Sequence, residues 1–170
     1  QRPGALSVNA LPVGVFDSGL GGLTVVRAIG ERLPHESTIY FGDTARVPYG
    51  TKSAETLIKY SIQNAQFLAR RGINALVVAC NTSTAYSLPF LREELDIPVI
   101  GVIEPGVRAA LAASSSKHIG VIGTQATVNS NAYARLLKEL DSSVRVVSQA
   151  CPLFVPLVEE GLLNHRATKL

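Results

Sequence analysis

Short apolar runs alternate with longer stretches whose apolar residues recur every three or four positions. Residues 13–16 are apolar and end at Asp17. Leu23, Val26, Ala28, Ile29 and Leu33 then follow a helical period, which Pro34 stops. Residues 38–41, β-branched and aromatic, predict a second strand, and 42–50 a loop. Ser53 is placed to cap a helix carrying Leu57, Ile58, Ile62, Ala65, Leu68 and Ala69, with Gly72 closing it. Residues 75–79 are apolar throughout, as in a strand buried on both faces. The remaining pattern predicts helices at 83–95, 104–113, 128–140 and 153–163 and strands at 99–103, 119–122 and 144–147. Strand and helix alternating throughout imply an α/β fold of parallel sheets with right-handed crossovers.

The chain has 170 residues, enough for one core or for one domain and the start of another. An apolar share of 46% against 17% charged residues excludes a disordered chain. Net charge is +3, with the charges scattered; Arg70-Arg71 and Glu159-Glu160 are the densest spots. A nucleic-acid partner calls for a clustered basic stripe, so none is expected. No apolar run is long enough for a membrane helix, and residues 1–12 lack the core of a secretory signal. Met is absent, position 1 included, which reads as a trimmed or processed start. Two cysteines make no disulfide framework and point to free thiols in a reducing cytoplasm.

In open parallel sheets, ligands bind beyond the carboxyl ends of the strands. Those ends carry Asp17-Ser18, the loop with Asp43 and Pro48-Tyr49-Gly50, Cys80-Asn81-Thr82-Ser83, and Gly123-Thr124. Their hydroxyls and amides suit a small zwitterion, and helix starts add free amides for a carboxylate. Cys80, just before a helix, is expected to gain thiolate character from the helix start. A lone buried Cys is as readily a packing residue, but one needs no Asn-Thr-Ser trio beside it. Asp17 reads equally as a helix N-cap, and both roles are compatible. Gly19, Gly21 and Gly22 match no phosphate-loop pattern and suit a tight turn with close backbone approach. No His and Cys cluster has metal spacing, and His35, His118 and His165 stand alone. Arg46 and Arg108 read as surface residues able to attract an anion.

Several long segments resemble the signatures of glutamate racemases, within the aspartate/glutamate racemase family: GVFDSGLGGLTV (14–25), YFGDTARVPYG (40–50), VVACNTSTA (77–85), GVIEPG (101–106), IGVIGTQATVNSNAY (119–133) and CPLFVPLVEEG (151–161). The resemblance covers roughly the N-terminal two-thirds of such an enzyme. It implies two facing α/β domains, here 12–101 without its C-terminal return and 102–170 unfinished. It also implies cofactor-free proton transfer at the Cα of glutamate by two cysteines on opposite faces, which supplies D-glutamate for peptidoglycan. Cys80 matches the first of these cysteines, and Asp17 a carboxylate assisting it. Glu159 matches a carboxylate of the second side, with Glu160 as the alternative. Ser18, Tyr49, Gly50, Asn81, Thr82 and, less directly, Thr124 match substrate contacts, alongside Asp17.

The second cysteine belongs to a Gly-Cys-Thr-His type motif that residues 1–170 do not contain. Cys151 is not its match and reads as structural. A homodimer in the cytoplasm, with no metal and no cofactor, completes the expectation. The rivals are a related aspartate or hydantoin racemase, and an inactive glutamate-binding or regulatory module lacking the second thiol.

Overall fold

In a computed structural model the structure describes residues 11–169. The readings of the first ten residues and of Leu170 lie outside the described residues. The elements run β1 (Val13–Asp17), α1 (Leu23–Arg32), β2 (Thr38–Gly42), α2 (Ala54–Ala69), β3 (Ala75–Val78), α3 (Asn81–Glu94), β4 (Val99–Gly101), α4 (Ile103–Ala113), β5 (His118–Gly123), α5 (Gln125–Asn129), α6 (Ala132–Leu140), β6 (Arg145–Ala150) and α7 (Phe154–Glu159), with short 3-10 turns at Tyr49–Thr51, Leu162–Asn164 and Arg166–Thr168.

Four parallel strands form one sheet in the order β2-β1-β3-β4, and β5 pairs in parallel with β6 in a second. The α/β class with parallel sheets and flanking helices is therefore as expected. Between β1 and β3 the chain reverses its direction of travel across the first sheet. That is the switch point at which open α/β sheets hold ligands.

One core gathers Phe16, Leu68, Leu76, Val78, Leu91 and Val99 around the first sheet. Another joins Ile103 and Val107 of α4 to Ala132, Leu137 and Val144. Ile122 and Val147, 66% and 72% exposed, leave one face of the β5–β6 sheet uncovered. A small cluster of Tyr49, Leu57, Cys80 and Ala126 ties the two sheets' surroundings together.

Local readings held where short-range chemistry sets them. Ser53 accepts the Thr56 amide at 3.2 Å, and Gly72 has φ +72°. The expected helix 128–140 is instead two, because Asn131 sits in the left-handed region at φ 56°, where Asn is tolerated better than most residues. The expected helix 153–163 stops at Glu159, and Gly161 takes a left-handed turn at φ +67°. β6 continues three residues past the apolar run, since Ser148, Gln149 and Ala150 pair in register with Val121, Ile122 and Gly123. Pairing with a neighbour, not hydrophobicity, extends that strand.

Candidate active site

β1 and β3 are hydrogen-bonded neighbours, so their exits place Asp17 and Cys80 side by side. A cavity of about 340 Å³ opens there. That is the scale of a small-molecule site. Of the expected residues, Asp17, Ser18, Cys80 and Asn81 line it, together with Thr82, Thr124 and Glu159. Phe154, Val155 and Val158 of α7 supply an apolar side.

Cys80 is the N-cap of α3. Its Sγ accepts the Ser83 amide at 3.4 Å, and its thiol donates to Ser18 Oγ at 3.6 Å. The expected thiolate character does not follow. Burial raises the Cys80 pKa and the Asp17 carboxylate pushes the same way; the Ser83 amide and the Ser18 hydroxyl pull it down without prevailing. A helix start favours the anion, but desolvation of a buried sulfur and a neighbouring carboxylate outweigh it. The resting group is a thiol. Alkylation by iodoacetamide at pH 7 is expected to be slower than for a free cysteine and to rise only above the ordinary thiol value of about 8.5. The sign for stability follows. Above that value the unfolded chain loses the proton first, so this group's contribution to stability falls as pH rises.

Asp17 is not the N-cap of α1; that position is Gly22. Its Oδ2 instead accepts the Gly19 and Gly22 amides at 3.0 and 3.1 Å, which closes the glycine loop around the carboxylate. Tyr40 donates to the Gly19 carbonyl at 2.7 Å, and Glu159 Oε1 accepts the Leu20 amide at 3.1 Å. Burial, followed by the charges of Asp17, Glu159 and Cys80, raises the Tyr40 pKa and keeps it a donor. The contact distinguishes Glu159 from Glu160, which is exposed and lines no part of this cavity.

Thr82, Thr124 and Thr127 close a triangle of hydroxyls with oxygens 2.9, 3.0 and 2.9 Å apart, joining the start of α3 to that of α5. Asn81 accepts the Tyr133 hydroxyl on Oδ1 at 2.6 Å, which leaves its amide donors open. Thr127 and Tyr133 were not singled out in the sequence; nothing local marks residues that reach across 45 and 52 positions.

Tyr49 and Gly50 stand apart. Tyr49 is 2% exposed, with its hydroxyl bonded to Asp43 and Asn64, and neither residue lines the Cys80 cavity. A Cβ on Gly50 would lie 2.5 Å from Thr124 Cβ. Gly50→Ala is therefore expected to displace Thr124 and to lower stability by about 1–3 kcal/mol, read from urea unfolding.

Arg46 is half-buried rather than simply solvated. It pairs with buried Asp43 at 2.7 Å, whereas Arg108 does lie at the surface, paired with Glu104 at 2.8 Å. Cys151 lines a neighbouring cavity of about 400 Å³ on the β5–β6 side, not the Cys80 cavity. Among the described residues no group of His, Cys, Asp and Glu is arranged to hold a metal, and no helix is long and apolar enough to cross a membrane.

This chain is 56% identical over 158 residues to a glutamate racemase of Geobacter metallireducens, covering 93% of the chain and 58% of that protein. A solved glutamate racemase isoform of Bacillus anthracis superposes with a TM-score of 0.89 at 46% identity, over 93% of this chain and 59% of that one. One from Francisella tularensis, solved in complex with D-glutamate, gives 0.86 at 44% identity, over 94% and 60%. The chain thus spans about three-fifths of the length of these relatives. A family model described as Asp/Glu/Hydantoin racemase matches residues 22–168, and with a thiol and a carboxylate set at adjacent strand exits the chain belongs to that family.

Proposed function

We propose that this chain carries the Cys80 half-site of a cofactor-independent racemase that interconverts L- and D-glutamate. The observation that carries the reading is the shared cavity of Cys80 and Asp17, rimmed by Ser18, Asn81, Thr82 and Thr124. The D-glutamate bound by the Francisella relative supports the choice of substrate.

Racemisation needs a proton removed from one face of Cα and another returned on the opposite face. Cys80 acts on one face. As thiolate it takes the Cα proton, and as thiol it returns one when the reaction runs the other way. Its high resting proton affinity makes it a ready donor. The substrate's α-ammonium, arriving beside Asp17, offsets the carboxylate's field and eases ionisation of the thiol. Asp17, with Oδ2 held by two amides, keeps its charge in a fixed place near the sulfur and assists the transfer. Asn81, Thr82, Thr124 and Ser18 hold the substrate's carboxylates; donors to the α-carboxylate stabilise the carbanion. The 49–50 turn contributes by its backbone, since the Tyr49 hydroxyl is engaged elsewhere. Glu159 serves the opposite side.

The opposite face requires a second acid/base group, and Cys151 lines the other cavity instead. The reading brings with it two domains, 12–101 and 102–170, a cytoplasmic homodimer, and a product used for peptidoglycan. A second reading is a glutamate-binding module without turnover, in which the same cavity holds the substrate and Cys80 transfers no proton.

The test is deuterium incorporation at Cα of L- and D-glutamate in heavy water, with aspartate as control. Exchange into one glutamate enantiomer is the expected result for Cys80 acting on one face, and exchange into both would show a second acid/base group within reach of Cα. Binding without exchange would establish the module; neither binding nor exchange sinks both readings.

A further inference from the structure

Asp43, Arg46, Tyr49 and Asn64 form a closed ring behind Cys80. The Tyr49 hydroxyl donates to Asp43 Oδ2 and accepts from Asn64 Nδ2 at 3.0 Å. Arg46 Nε donates to Asp43 Oδ1 at 2.9 Å, and its Nη2 donates to Asn64 Oδ1 at 2.8 Å. A further donor, Nη1, reaches Gln63 at 2.6 Å, and the guanidinium lies 4.2 Å from the centre of the Tyr60 ring. Asp43, Tyr49 and Asn64 are 4%, 2% and 1% exposed, yet every one of their side-chain polar atoms has a partner.

Burying an ion pair of this kind contributes little net stability, because desolvation offsets the attraction. A satisfied buried network does restrict geometry, since any displacement leaves a polar group unpaired in a low-dielectric interior. What it restricts here is the Tyr49–Gly50 turn. The ring of Tyr49 packs in one cluster with Cys80, Leu57 and Ala126, and Gly50 abuts Thr124. One end of the turn backs the thiol, and the other supports the hydroxyl triangle.

We propose that Arg46, Asp43 and Asn64 are positioning residues that act through Tyr49 and Gly50 to set Cys80 and Thr124 for the substrate. The proposal rests on the reading of the cavity as a glutamate site, and two separable measurements test it. Dissociation constants for D-glutamate and the rate of Cys80 alkylation are measured for the unmodified chain and for Arg46→Gln, Arg46→Lys, Asn64→Leu and Tyr49→Phe. Each variant that unfolds cooperatively is expected to bind glutamate about fivefold more weakly or worse, the loss attending one buried hydrogen bond. Arg46→Lys, which keeps the charge but loses the planar fork, falls between Arg46→Gln and the unmodified chain.

Alkylation rates are expected to change in the same order. Lowered melting temperatures with unchanged dissociation constants and unchanged alkylation would show a purely structural ring and overturn the proposal. Should Arg46→Gln not fold, Tyr49→Phe decides, since it keeps the ring in the cluster that holds Cys80 and deletes only the hydroxyl. If the unmodified chain fails to bind glutamate, the substrate reading falls. The positioning claim then stands or falls on alkylation alone.

Discussion

Cys80→Ser is expected to lower Cα exchange of glutamate by about 100- to 10,000-fold, the range over which a positioned acid/base group contributes. The substitution removes one atom's identity and little volume. A serine hydroxyl in the same place still accepts the Ser83 amide, as a serine N-cap does, so the start of α3 is preserved. What it lacks is an accessible anion. The Cys80 thiol is already held above its ordinary value by burial and by Asp17, and a hydroxyl begins several orders of magnitude less acidic. Glutamate affinity is expected to change little, because the carboxylate-binding groups are elsewhere. The measurement is exchange by NMR beside calorimetric binding. An undiminished exchange rate would remove Cys80 from the chemistry.

Asp17→Asn is expected to act in opposite directions on two readouts. The amide oxygen of Asn can accept the Gly19 and Gly22 amides as Oδ2 does, so the loop keeps its form. The negative charge is lost. One of the two causes holding the Cys80 thiol protonated goes with it, so alkylation of Cys80 at pH 8 is expected to speed up. Turnover is nevertheless expected to fall about 100-fold, at the lower end of what an acid/base partner contributes. Asp17→Ala leaves the two amides without their acceptor and is expected to cost about 1–3 kcal/mol of stability as well. Faster alkylation with unchanged exchange would make Asp17 a loop anchor alone. Slower alkylation would contradict the assigned direction of the Cys80 shift.

Much of the local architecture was legible. Short runs rich in apolar, β-branched or aromatic residues marked the strands, and Ser53 and Gly72 marked the ends of α2, because these choices depend on neighbours within one helical turn. The strand exits carrying Asp17 and Cys80 were legible for the same reason, and strand order then brought them to one cavity. Less local features were not legible. Arg46 read as a solvated charge, since nothing in GDTARVPYG announces that Gln63 and Asn64, on the next helix, will meet it and half-bury it. Tyr49 matched a substrate contact by motif, and the engagement of its hydroxyl in the interior leaves the backbone of the turn for that role.

The amino-acid order by itself determined the α/β alternation, the strand ends and the chemistry available at each, since periodicity, capping and turn preference act over a few residues. Tertiary structure alone decided the direction of the Cys80 pKa, the contact of Glu159 rather than Glu160 with the glycine loop, the Tyr133 bond to Asn81 and the ring around Asp43. The reason is physical: desolvation and Coulomb terms sum over every neighbour in space. At Cys80 those neighbours arrive from segments as far apart in the chain as Ser18 and Ala126.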